Sequence, residues 1–243
     1  MNILVVGASG ATGSQLVTQL LHQQHFVKVI VRSPDNIPNS WKEHTHLQLI
    51  TASILDLSDH DLSEITRDCD AVASCLGHNL TWKGIYGEPR KLVTDATKRL
   101  CKAIALNHQE GKTKFILMNT TGNRNRDLDE PVSFAQKCVI SLLRLLLPPH
   151  VDNEKAADYL RTQIGQDHKA IEWVAVRPDG LINEDQVSDY EIYPSPTRSA
   201  IFNAGKVSRI NVAHFMATLI CNDEVWEKWK GQMPVIYSTS QDN

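Results

Sequence analysis

Apolar and polar positions change rhythm along this chain. Ile3 to Val6 is an unbroken apolar run that leads into glycines at 7, 10 and 13. A run without polar alternation has no solvent face, so it predicts a strand in a parallel sheet covered on both sides. Between Thr12 and Gln23 the apolar residues fall at Leu16, Leu20 and Leu21, a helical spacing. Further strands are predicted at Phe26–Val31, Leu47–Ile50, Ala71–Leu76, Phe115–Met118 and Ile171–Val176, the last closed by Pro178. Helices are predicted at Ser58–Arg67, with Ser58 or Asp59 as cap, and at Pro89–Asn107, with Pro89 near its start. This alternation implies an α/β fold with a doubly wound, Rossmann-like parallel sheet. No repeat or clean linker divides residues 1–243, so a single domain is expected. Roughly residues 179–243 are less regular, and are expected to add a small substrate-side lobe at the carboxyl edge of the sheet. Ligands in such sheets bind at that edge, near the switch in strand order.

Composition narrows the picture by exclusion. The chain has 243 residues, 42% hydrophobic and 22% charged, with a net charge of −3. That balance gives no global attraction for nucleic acid or an anionic membrane. The five cysteines are scattered and include no CxxC pair, so neither a zinc site nor a disulfide framework is expected. Buried free thiols in a reducing cytosol are the simplest reading. The longest apolar stretch, Val139 to Leu147, is broken by Ser141 and Arg144 and is far short of the ~20 residues that span a bilayer. With a strand beginning at Asn2, no secretion signal is expected, and the protein is expected to be soluble and cytoplasmic.

The glycine loop carries the most specific chemistry. Gly7 permits a tight turn after the strand, Gly10 lets the backbone approach a pyrophosphate, and Gly13 lets helix pack on strand. The helix that follows opens with free N–H groups, so Ser9, Ala11 and Thr12 are candidate phosphate contacts with the glycines. At the end of the second strand a carboxylate would select NAD through the ribose 2′-hydroxyl. VIVRSPDN instead puts Arg32 and Ser33 there, and a guanidinium pairs bidentately with a phosphate. NADP(H) is therefore expected over NAD(H). The competing reading of Arg32 is an ordinary solvated arginine.

The spacing Gly-x-x-Gly-x-x-Gly within GASGATG resembles the short-chain dehydrogenase/reductase superfamily, and more narrowly its extended and atypical members, including the NmrA-like and flavin-reductase-like proteins. The resemblance covers nearly the whole chain. It implies that Asp56, in ASILD, lies at the adenine. It implies that the backbone of Cys75, Leu76 and Gly77 contacts the ribose. It also implies that the turn from Pro178 to Leu181 meets the nicotinamide end, with Asp179 in place of the usual glycine. SRINVAHFM resembles the family's C-terminal helix start, with Asn211 as the expected N-cap.

The superfamily's Tyr-x-x-x-Lys pair is absent: four residues after Tyr86, Tyr159, Tyr190, Tyr193 and Tyr237 come Arg90, Gln163, Pro194, Thr197 and Gln241. By resemblance the pair would fall near residues 148–161, with His150 close to the missing tyrosine and able to serve as proton donor. Thr120 and Thr121 stand where the family carries its active-site Ser or Thr. Each has a purely structural alternative, a turn-closing threonine and a packed histidine. Two stretches are candidates for recognising substrate. Residues 77–100 gather His78, Trp82, Lys83, Tyr86 and Arg90, and residues 122–150 carry Arg124 and Arg126 before an apolar helix that is expected to pack in the core. An oxidoreductase acting on an unidentified small molecule is thus expected, or else a non-catalytic NADP(H)-sensing protein of NmrA-like type. A sugar-nucleotide epimerase fits less well without the pair. No metal site is expected.

Overall fold

The computed structural model describes residues 1–78, 81–107 and 111–239, apart from the side chains of Asn36 and Lys83. Six parallel strands form the body of the sheet: β1 (Asn2–Val6), β2 (Phe26–Val31), β3 (Leu47–Thr51), β4 (Ala71–Ser74), β5 (Thr113–Met118) and β6 (Ile171–Pro178). β7 (Gly180–Ile182) and β9 (Lys206–Ser208) pair separately, while β8 (Tyr190–Tyr193) and β10 (Val235–Ser238) extend the main sheet. The order is β3-β2-β1-β4-β5-β6-β10-β8, so the winding reverses between β1 and β4. β10 runs parallel to β6, and only the edge strand β8 is antiparallel.

The uniformly apolar strands are explained by their two covered faces. On β1, Ile3 and Val5 join one core with Leu16 and Leu20 of α1 (Ala11–His22) and Val212, Phe215 and Met216 of α7 (Arg209–Cys221). Leu4 and Val6 join the opposite core with Leu62 of α2 (Asp59–Thr66) and Leu100 of α4 (Leu92–Asn107). Alternate residues of one strand thus serve both layers. α2 starts on a capping box in which Ser58 and Asp61 exchange hydrogen bonds.

Several expectations need correction. The helix expected from Pro89 starts at Leu92, and Pro89 lies in the loop before it. A short helix, α3 (Trp82–Tyr86), precedes it. The N-cap of α7 is Ser208, whose hydroxyl accepts from the Asn211 N–H at 3.2 Å. Asn211 is three residues too late to cap and instead ties Ser188 to the helix. After Pro178 the described residues place the β7–β9 pair at the carboxyl edge, while β10 joins the main sheet and α7 packs on α1.

The apolar helix α5 (Phe134–Leu146) is not a core helix: only Ile140 is buried, while Phe134 is 83% and Leu145 80% exposed. It is followed by α6 (Pro148–Tyr159) and a π-helical turn, Leu160–Ile164. α8 (Asp223–Trp229) leads to β10. The thiols are free, but only Cys69 and Cys101 are buried, and Cys138 and Cys221 are exposed. Among the described residues no helix is long and apolar enough to cross a membrane, and no cluster of His, Cys, Asp and Glu is fit to hold a metal.

Candidate functional site

The carboxyl edges of β1, β2 and β4 open on a cleft of about 970 Å³. Its floor is the glycine loop. Gly7 has φ +75°, and a Cβ there would lie 2.6 Å from the backbone of Cys75, so both conformation and space demand glycine. A Cβ on Gly13 would strike the Gly7 carbonyl. The Gly10 N–H donates to the Gly7 carbonyl at 3.0 Å, which shapes the loop around the start of α1. α1 begins at Gly10 with no side-chain cap and no acid in its first turn. Its orphan N–H groups and dipole are therefore left for an anion in the cleft.

Gly7, Ser9, Gly10, Ala11 and Thr12 line this cleft, with Arg32, Cys75, Leu76, Gly77 and His78. Gly13 lies beneath the loop as a packing residue. Ser33 and Asp56 are not on the wall: the Ser33 hydroxyl caps the short helical turn at 34–36 and donates to Asp35 at 2.7 Å. Ser53 and Ile54, just past β3 beside the end of β2, line the cleft rather than Asp56, which is exposed. Pro178 is also off the wall, with its carbonyl accepting the Thr121 N–H at 3.0 Å. Leu181 and Arg209 also line it; Arg209 lies in the SRINVAHFM segment, which points to a helix start and not to the cleft. Burial pushes the Cys75 thiol up to about 12, so it is a packed, inert side chain.

His78, on the wall of the cleft, is held in a buried polar pair. Its Nε2 lies 2.8 Å from Asp152 Oδ2, with the two side chains 5% and 1% exposed. Asp152, on α6, also accepts the Val93 and Thr94 N–H groups at 2.8 and 2.9 Å and so caps α4 from a distant helix. Burial alone would raise the Asp152 carboxyl, but His78 and the Thr94 and Val93 groups outweigh it and hold it below its usual value. An ionised carboxylate only accepts, so the proton of this hydrogen bond sits on His78 Nε2. Nothing in the spacing of residues 78 and 152 foretold this pair.

The expected catalytic residues gather elsewhere, around the turn after β5. A Cβ on Gly122 would lie 3.5 Å from His150 Cε1 and 3.7 Å from Thr120 Oγ1. His150 Nε2 is 3.5 Å from Glu154, an ion-pair distance without a hydrogen bond. Burial works against ionisation of Glu154, yet His150 and Arg144 hold it at about 2. The Thr121 hydroxyl donates to Asp179 at 3.0 Å, and Asp179 also accepts the Gly205 N–H at 2.8 Å. Burial keeps the Asp179 carboxyl above its usual value. Trp82 and Tyr86 stack on each other, ring centroids 4.9 Å apart, and face solvent rather than the cleft. Arg124 lines a second cavity, of about 210 Å³, with Thr121 and Gly122.

A family model described as NAD(P)H-binding matches residues 7–223. The chain therefore belongs to that NAD(P)H-binding family. An uncharacterized chloroplastic protein of Arabidopsis thaliana is 26% identical over 222 residues, which are 91% of this chain and 72% of that protein. A wide-type short-chain dehydrogenase/reductase from Veillonella parvula, solved in complex with NADP, matches with a TM-score of 0.70 at 17% identity, over 100% of this chain and 96% of that one. A Streptococcus pneumoniae protein, provisionally described as an NADH-flavin reductase, matches with a TM-score of 0.64 at 18% identity, over 98% and 100%. These structures share the fold.

Proposed function

With the chain a member of the NAD(P)H-binding family, we propose that it is an NADP(H)-dependent oxidoreductase acting on a small molecule without a tyrosine–lysine pair. The observation that carries the cofactor preference is the wall of the cleft: Arg32 stands at the end of β2, and no Asp or Glu is among the described lining residues. A carboxylate there would accept from a ribose 2′-hydroxyl; a guanidinium matches a 2′-phosphate instead. The N–H groups at the start of α1 fit a pyrophosphate, and Gly7 and Gly13 let the loop pack tightly enough on its own backbone to present them. NADP(H), when bound, supplies or takes up the hydride.

The chain's own residues position and protonate. Its folded cleft orients the two reactants, which is the larger part of what hydride transfer asks of a protein. His78, held by Asp152, exchanges a proton at Nδ1. Thr120 and His150 orient the substrate from the turn after β5. Thr121 has its hydroxyl hydrogen bond committed to Asp179 and acts by position.

Fluorescence titration with NADPH and NADH tests the cofactor assignment. Arg32→Ala is expected to weaken NADPH about 10- to 100-fold, the scale of a lost charged hydrogen bond, and to leave NADH unchanged. Unaltered NADPH affinity refutes the 2′-phosphate contact. Reactivity is tested by following NADPH absorbance with quinones, flavins and aldehydes. Tight binding without turnover would favour a second reading, a non-catalytic NADP(H) sensor of NmrA-like type. The observation behind that reading is the exposed apolar face of α5, an available surface for a partner.

A further inference from the structure

The second cavity lies on the other side of the turn after β5 from the cofactor cleft. Met118 lines the cleft, and Thr121 and Gly122 line the second cavity. Its charges are unbalanced. Glu130, the one carboxylate among its described lining residues, is already held at 2.7 and 3.2 Å by the buried guanidinium of Arg177 and accepts the Asn125 N–H at 2.9 Å. Arg124 and Arg198 also line it, and neither is neutralised to that degree. Arg124 meets only Asp129, at 3.6 Å, and that carboxylate is fully exposed. Its Nε is buried without a hydrogen-bond partner. Such a buried donor costs free energy unless something else satisfies it.

Arg198 lies over the Tyr237 ring, 5.7 Å from its centroid. Asp179, a half-buried carboxylate, feels Arg198 but is committed to Thr121 and Gly205. The start of α5 faces the same space through Gln136, whose side chain accepts the Ser199 hydroxyl at 3.0 Å. That first turn holds no acid. Two guanidinium groups thus line a volume suited to one small oxyanion and a few carbons.

We propose that this cavity is the anion subsite of the substrate: the acceptor of the reaction carries a carboxylate or phosphate, which Arg124 and Arg198 hold while its reducible end reaches past Thr121 toward the cofactor cleft. The inference rests on the oxidoreductase reading, but it is tested by binding alone.

The probe is trifluoroacetate, followed by fluorine NMR with the full chain saturated with NADPH. Line broadening is expected, and inorganic phosphate should compete it away if phosphate fits as well as carboxylate; competition by acetate alone assigns a carboxylate. Neutral acetamide should not compete. The pair Arg124→Gln and Arg198→Gln is expected to weaken the probe at least about tenfold, while the pair Arg124→Lys and Arg198→Lys keeps part of the affinity. NADPH titration of each variant is expected to match wild type, which reports correct folding and separates this subsite from the nucleotide site. No broadening in wild type overturns the proposal, as does equal broadening in the glutamine pair. Broadening seen only without NADPH assigns the anion to the glycine loop and also overturns it. Failure of NADPH to bind at all would instead defeat the cofactor reading.

Discussion

The glycine-loop cleft and the region around the turn after β5 are built on different principles. Around the cofactor cleft, shape is decided by what cannot fit: Gly7 and Gly13 are pressed against backbone, and the residues involved are neighbours in sequence. Around the turn after β5, position is decided by polar partners from distant segments. Arg177 of β6 binds Glu130 and the carbonyls of Asn123, Met233 and Pro194, which fastens the 123–130 loop to the sheet and the carboxyl-edge segments. A steric cradle tolerates almost no substitution and carries little charge. A buried ionic network tolerates changes in shape but not the loss of a partner.

The sharpest test of that contrast is Glu130→Ala. It leaves the Arg177 charge buried without its partner, and is expected to cost about 3–5 kcal/mol in urea unfolding. NADPH affinity should survive in the fraction that remains folded. If stability changes by under 1 kcal/mol, the loop is not held as described. Next comes Gly7→Ala, which combines a left-handed backbone with overpacking, for about 2–4 kcal/mol together with loss of NADPH binding. A variant that binds NADPH normally would remove the steric account of the cradle.

A smaller effect separates the two regions by pH. The folded-state carboxyl of Glu154 is held at about 2, below its ordinary 4.5. Its contribution is therefore present above pH about 4.5 and is lost as pH falls toward 2. Glu154→Gln should flatten acid unfolding in that window; an unchanged acid profile would count against the His150–Glu154–Arg144 cluster. The smallest effect is expected on α5. Leu145→Ser should shift stability by no more than about 0.5 kcal/mol, against about 2–4 kcal/mol for Ile140→Ala. A large loss at Leu145 would mean that this face is covered in solution.

The parallel strands, the glycine loop and the place of Arg32 were legible from the residues alone, because each depends on local rules: burial on two faces, a positive φ, the end of one strand. The helix 134–146 was misread for the same reason. Its composition reads as core, yet composition cannot tell which surface the rest of the chain leaves free. Asp152 was passed over although it lies two residues from His150, since its partners, His78, Val93 and Thr94, are separated from it by nearly sixty residues or more. Arg209 reaches the cleft only because α7 returns to pack beside α1.

The sequence by itself determined the sheet and the nucleotide loop, where neighbouring residues set the backbone and the backbone sets the site. Only the tertiary structure decided which charges are paired and which stand free. Pairing is a matter of distance across the fold, and that is how Arg177 is neutralised by buried Glu130 while Arg124 meets the exposed Asp129 and Arg198 lies over the Tyr237 ring.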